Sequence, residues 1–146
     1  MQPLEIQKLF ADIVKDTAQI NSAFMNWSDV AIKDSVLRYN FLFLKTDKNE
    51  TVSMICFQKN SEFIEILALG TPGKFQRRGY SEKLLLYFLD ECGSTSKFVT
   101  LEVHSENNRA IALYEKCGFK TVRIRKNYYS DGGSAVVMDK SNELIG

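Results

Sequence analysis

The stretch Leu101-Glu102-Val103-His104-Ser105-Glu106-Asn107-Asn108-Arg109-Ala110-Ile111-Ala112-Leu113-Tyr114-Glu115-Lys116-Cys117-Gly118-Phe119 changes period half-way, and that change decides the fold. Leu101 and Val103 alternate with Glu102 and His104, the period of a strand with one face in a core. From Asn108 to Lys116 the apolar residues fall at helical spacing, and Cys117-Gly118 stops them, glycine being the usual residue just past a helix end. Phe119 then opens a new extended run. On this reading Glu102 and His104 share one strand face while Leu101 and Val103 point into the core. Tyr114 sits on the helix opposite Ile111 and Cys117, which pack inward.

Working outward, Lys97 to His104 completes the strand, and Leu84, Leu85, Phe88 and Leu89 form the stripe of an earlier helix that ends at Cys92-Gly93. Before that helix lies the glycine-containing loop Gly70 to Ser81. Three extended runs precede it: Asn40 to Thr46, Thr51 to Gln58 and Glu62 to Leu69, the first two joined by Asp47-Lys48-Asn49-Glu50, which predicts a meander. Downstream, Phe119 to Tyr129 and Ser134 to Lys140 predict a closing hairpin around Ser130-Asp131-Gly132-Gly133. At the start of the chain Leu4 and Ile6 alternate with polar residues and helical spacing follows to Ile20, which puts a strand-to-helix switch near Lys8. Ser28 is a candidate cap for a second helix through Leu37. Strands and helices thus mix in an α/β order within one domain, residues 1–146, with no visible repeat or linker.

Composition excludes more than it assigns. The 146 residues are 45% hydrophobic and carry 19 Lys+Arg against 18 Asp+Glu. A balanced charge argues against a nucleic-acid binder, which needs a concentrated basic patch. No window is apolar enough for a membrane span, and the acids and lysines among Met1 to Ile20 do not fit a secretory signal. Cys56, Cys92 and Cys117 are odd in number and contain no CxxC pair, and His104 is the single histidine, so neither a disulfide framework nor a metal site is expected. The composition fits a reducing cytoplasm.

Chemistry enters with Gln76-Arg77-Arg78-Gly79-Tyr80-Ser81-Glu82. Between a strand and a helix, its backbone N–H groups and the positive helix end would converge on an anion, with Arg77 and Arg78 at the rim. Neither the Gly-Lys-Ser/Thr ending of a Walker A loop nor the three glycines of a dinucleotide fingerprint is present. Taken alone the segment is equally a tight strand-to-helix turn, Glu102 a solvated carboxylate and Tyr114 a packing residue.

Together, the loop and the Leu101 to Phe119 segment resemble the acetyl-CoA-binding motifs of the GCN5-related N-acetyltransferase (GNAT) superfamily. The tail Ile124-Arg125-Lys126-Asn127-Tyr128-Tyr129, with Ala135-Val136-Val137-Met138 and Trp27-Ser28, resembles the RimI-type branch that acetylates the N-terminal alanine of a ribosomal protein. The resemblance implies a mixed, mostly antiparallel twisted sheet flanked by helices, whose splayed strands form the acetyl-CoA cleft. It implies that Gln76, Arg77, Arg78, Gly79, Tyr80, Ser81 and Glu82 bind the pyrophosphate, that Leu67, Ala68 and Leu69 hold the pantetheine arm through their main chain, and that Asn107 contacts the cofactor. Glu102 would be general base and Tyr114 general acid, with Trp27, His104, Tyr128 and Tyr129 around the acceptor and no metal. The implied partners are acetyl-CoA and a protein or peptide N-terminus, with no nucleic acid and no membrane.

Elementary chemistry is compatible with those two roles. An amine must lose its proton to attack a thioester, at roughly 1 kcal/mol for an α-amine at neutral pH and about 4 for a lysine. The departing thiolate needs a proton that a phenol can supply. A nucleophilic cysteine is not expected, since Cys92 and Cys117 end helices, where the dipole disfavours a thiolate, and Cys56 lies in an apolar strand. Two features depart from the family pattern. Ser81 stands where Gly or Ala is usual, and Gly70 to Phe75 is one residue longer than usual, which leaves Ala68 to Gly70 as an alternative pantetheine register. A small-amine or lysine acetyltransferase and a non-catalytic acyl-CoA-binding module remain as alternative functions.

Overall fold

The computed structural model describes residues 37–142 together with Lys8 and Asp34. The strand and helix expected over residues 4–20, Trp27 and the Ser28 cap lie outside the described residues. Among the described residues six strands form one sheet: β1 (Asn40–Lys45), β2 (Thr51–Lys59), β3 (Phe63–Gly70), β4 (Phe98–His104), β5 (Lys120–Arg125) and β6 (Ala135–Ser141). Their spatial order is β1-β2-β3-β4-β6-β5. Every neighbouring pair is antiparallel except β3 and β4. A parallel pair needs a crossover, and helix α1 (Tyr80–Glu91) supplies it, while α2 (Asn108–Lys116) joins β4 to β5.

Local chemistry sets the turns. Asn60 Oδ1 accepts from the N–H groups of Glu62 and Phe63, both at 2.8 Å, so its side chain reverses the chain between β2 and β3. Helix α1 buries Leu84, Leu85, Phe88 and Leu89 at one-and-four spacing against the sheet, and Phe88 meets Phe57 edge-on at 4.8 Å. Each such side chain contributes roughly 1.5–3 kcal/mol on burial. The core on this face continues through Ile64, Ile66, Val99, Leu101, Val103 and Met138.

The feature that shapes the site is a bulge in β3. Cys56 pairs with Ala68 but Phe57 pairs with Ile66, leaving Leu67 as the extra residue. Ile64, Ile66 and Leu69 accordingly belong to the helix-side core, whereas the consecutive Leu67 and Ala68 both pack on the other face with Met54 and Cys56. The parallel ladder runs from Phe63 opposite Phe98 to Ile66 opposite Leu101 and stops there. β3 and β4 therefore part at the bulge, the splayed arrangement expected from the resemblance.

Two expectations need correction. Tyr114 does not lie opposite the inward positions of α2: Ala110, Tyr114 and Cys117 are all buried and recur at i, i+4 and i+7, the spacing of one stripe, while Ile111 is only half-buried. Tyr114 is thus itself the inward residue, 2% exposed. Its place is locked where α2 ends: the N–H of Phe119 donates to the Tyr114 carbonyl at 2.9 Å and that of Gly118 to Glu115 at 3.0 Å, a Schellman closure. The Tyr114 and Phe119 rings pack at 5.8 Å, the hydrophobic contact that accompanies it. The second correction concerns β5, which ends at Arg125 and not at Tyr129. Asn127 adopts a left-handed φ of 52° that leaves the extended path, and the following residues close into a loop tied to His104.

Candidate functional site

Two clefts open on opposite faces of the sheet, one beyond the point where β3 and β4 part and one along their paired stretch, reaching the parting at Glu102. The first, about 210 Å³, lies on the helix side and is lined by Leu69, Thr71, Phe75, Gln76, Arg77, Gly79 to Glu82, Arg109, Ala110, Leu113 and Tyr114. The second, about 400 Å³, is lined by Glu65, Thr100, Glu102, Arg123, Arg125, Asp139 and apolar neighbours. Tyr114 therefore faces one cleft and Glu102, the first β4 residue beyond the last parallel pair, faces the other.

The loop at the mouth of the first cleft turns backbone donors outward. Arg77 and Gly79 both take left-handed φ, 65° and 78°, a turn that gathers successive N–H groups into a concavity. Gly79 stands at the N-cap of α1 with no side-chain cap bond. The first intrahelical bond runs from the Lys83 N–H to the Gly79 carbonyl at 3.0 Å, which leaves the N–H groups of Tyr80, Ser81 and Glu82 directed out of the helix end. A Cβ added at Gly79 would meet nothing within 4 Å, so glycine answers to the backbone conformation and to open space beside it. Arg77 lines this cleft and Arg78 does not. Glu82 pairs with Lys116 at 2.9 Å and links α1 to α2.

Sequence reasoning missed Arg109, Thr71 and Phe75, all of which line this cleft. Arg109 left a readable signal: it occupies the first turn of α2, which contains no acid, and a cation there opposes the helix dipole unless an anion faces it. Asn107, expected at the cofactor, is the N-cap of α2, its Oδ1 accepting from the Ala110 N–H at 3.2 Å, and it is not among the residues lining the cleft. Leu67 and Ala68 pack on the far face, while Leu69 reaches the cleft wall.

Burial raises the Tyr114 phenol well above its usual value, with Cys117 and Tyr129 adding smaller effects in the same direction. It is therefore a neutral hydrogen-bond donor across physiological pH. Glu102 is partly exposed, and its Oε1 lies 3.3 Å from Arg125 Nε. Arg125 in turn lies over the Tyr128 ring at 5.4 Å.

His104 and Tyr129 are brought together, stacked at 5.1 Å, with Tyr129 buried and Tyr128 exposed. The His104 ring is also held through both nitrogens. Nδ1 lies 3.1 Å from the Glu106 N–H, and Nε2 lies 2.9 Å from Asp131 Oδ2. Since a backbone N–H can only donate, Nδ1 is the acceptor and the proton sits on Nε2, directed at Asp131. The Gly133 N–H hydrogen bond holds the Asp131 carboxyl below its usual range; burial opposes it as the next effect in size, and His104 adds further lowering. This network fixes the β5–β6 loop that carries both tyrosines. Burial raises the three thiols, Cys56 up to about 12, and all three are free. None is poised as a nucleophile.

The profile of the acetyltransferase (GNAT) family matches residues 9–119. The chain belongs to that family. Over 57 residues it is 51% identical to the "[Ribosomal protein bS18]-alanine N-acetyltransferase" of Salmonella typhimurium, a match covering 38% of each chain. The chain thus spans less than half the length of this curated relative. Among solved GNAT structures, the ribosomal-protein-S18-alanine N-acetyltransferase of Escherichia coli superposes with a TM-score of 0.73 at 26% identity, covering 91% of this chain and 90% of that one. A GNAT family acetyltransferase from Elizabethkingia anophelis, solved with acetyl-CoA bound, shares the fold at a TM-score of 0.70 and 20% identity, covering 80% of this chain and 84% of that one.

Proposed function

We propose that the protein transfers the acetyl group of acetyl-CoA directly to the free α-amine of a protein or peptide N-terminus, such as that of a ribosomal protein. The carrying observation is the placement of Tyr114 and Glu102 on opposite sheet faces at the point where β3 and β4 part. A donor entering past the anion loop and an acceptor arriving from the other face would meet between them. The fit to acetyl-CoA rests on the donor set: outward N–H groups at the start of α1, Arg77 and Arg109 on the walls, and an apolar floor of Leu69, Ala110 and Leu113. The bound cosubstrate supplies an activated acetyl thioester. The main chain of β3 at Leu67 to Leu69 would receive its extended arm as an added strand would, and Asn107 would act through the start of α2 that it caps.

Glu102 accepts the proton that the acceptor's ammonium must lose, and the Arg125 contact at 3.3 Å orients its carboxylate. Nitrogen forms its bond to the acetyl carbon as the carbon–sulfur bond breaks, and the Tyr114 hydroxyl delivers a proton to the departing sulfur. Raised as it is, the phenol gives up that proton only as the sulfur takes on charge, and solvent restores it afterwards. His104 and Tyr129 set the loop from which Tyr128 borders the acceptor, and Trp27 would contribute to the same slot. Three free thiols fit a reducing, cytoplasmic setting.

The test is acetyl transfer to peptides with free and blocked N-termini. Glu102→Gln and Tyr114→Phe should each lower kcat by about a hundredfold or more. Equal activity on blocked peptides would assign the acceptor to lysine or a small amine. A kcat within twofold of wild type in both variants would remove the assigned roles, and acetyl-CoA binding without transfer to any amine would leave a binding module.

A further inference from the structure

We infer that Thr71 is a positioning residue that fastens both ends of the anion-binding loop to the sheet, and that Ser81 serves this fastening and not the ligand; the inference rests on the acetyl-CoA reading above. Thr71 is buried just beyond the end of β3. Its carbonyl accepts from Gln76 Nε2 at 3.2 Å, at the start of the loop. Its hydroxyl lies 2.7 Å from the Ser81 hydroxyl, at the end of the loop in the first turn of α1. The same hydroxyl reaches Ser53 Oγ in β2 at 3.2 Å, and Ser53 donates to the Gly70 carbonyl at 3.0 Å.

Proton counting gives this chain one direction. The Gly70 carbonyl can only accept, so the Ser53 proton goes there. Ser53 therefore accepts the Thr71 proton, and Thr71, having no second proton, accepts from Ser81. The Ser81 hydroxyl then has no hydrogen left to offer an anion. Serine at this position neither adds a side-chain donor to a phosphate nor stands loose in the cleft. It locks the first turn of α1, whose N–H groups would face the phosphate, to the end of the strand along which the pantetheine arm would lie. The polarised sequence of hydroxyls strengthens each link.

The test compares dissociation constants for coenzyme A and for pantetheine, which lacks the pyrophosphate and nucleotide, by calorimetry and displacement. Thr71→Val keeps the side-chain shape and the carbonyl for Gln76 but cuts the link to Ser81. Ser81→Ala cuts it without leaving a spare hydroxyl. In both variants the preference for coenzyme A over pantetheine should fall about five- to tenfold, and Thr71→Ser should restore it. Equal loss of affinity for both ligands, or no loss, would overturn the inference. So would loss in Ser81→Ala alone, which would mean that the hydroxyl serves the ligand. A wild-type protein that does not prefer coenzyme A would instead remove the anion-loop reading itself, and the inference with it.

Discussion

Replacing Gly133 with alanine should damage the protein far more than the same change at its neighbour Gly132, and for a different reason. A Cβ built at Gly133 falls 2.0 Å from His104 Nε2, 2.3 Å from Cε1 and 2.9 Å from Asp131 Oδ1. His104 cannot swing aside, because its ring is stacked on Tyr129 and both nitrogens are engaged. The backbone of the loop must move instead, and overpacking of this kind typically costs 1–3 kcal/mol, so a value near the top, about 3 kcal/mol, is expected for Gly133→Ala. At Gly132 a Cβ meets nothing within 4 Å, but φ is 84°, so Gly132→Ala should lose only about 1 kcal/mol from the left-handed backbone. Urea denaturation of the two variants measures both values. Because the displaced loop carries Tyr128 and Tyr129, Gly133→Ala should also raise the KM for a peptide acceptor while leaving coenzyme A affinity unchanged. Adding His104→Ala should recover part of the lost stability, since the clash and its target then disappear together. The reasoning fails if Gly133→Ala loses no more stability than Gly132→Ala.

Other consequences can be checked separately. If Arg109 faces the phosphates, Arg109→Ala should weaken coenzyme A about tenfold by calorimetry, with the loss shrinking at high salt, since the side chain is exposed. The Tyr114 phenol is raised in the folded protein, so its contribution to stability is complete below the ordinary tyrosine value near 10 and is lost as pH rises beyond it. Wild type should therefore lose stability above pH 10 more steeply than Tyr114→Phe, in denaturation curves collected across that range. Asp131 is depressed, so its contribution is present above the usual aspartate value near 3.9 and disappears as pH falls below it; Asp131→Asn should flatten the acid limb of the stability profile. A thiol reagent should label Cys92 first and reach Cys56 only on unfolding, because Cys56 is fully buried and raised to about 12.

What could be read from the residues, and what could not, divides by the range of the interactions involved. The α2 span is written in local chemistry, an Asn cap at one end and a Gly-Phe closure at the other, and the observed helix has the expected bounds. The meander follows from short apolar runs bounded by polar turns, and β4 from period-two alternation. The expectation puts Tyr114 on the wrong side of its helix because its phase rests on Ile111, which is only half-buried; Ala110, one turn before Tyr114, and Cys117 carry the true stripe. In the run Ile66-Leu67-Ala68-Leu69 every residue is apolar, so alternation cannot show which one is doubled, and only the pairing with β2 identifies Leu67 as the bulge. The loop that cuts β5 short depends on His104 meeting Asp131 across 27 residues of chain, a contact with no local signature. Ser81 shows the same limit in the binding loop: its oddity was visible in the sequence, but its function depends on Thr71, ten residues away, and through Thr71 on Ser53. A serine that stands where Gly or Ala is usual is, on the inferred proton order, the terminal donor of a hydroxyl relay, which is why its removal should affect the pyrophosphate and not the pantetheine end of the cosubstrate.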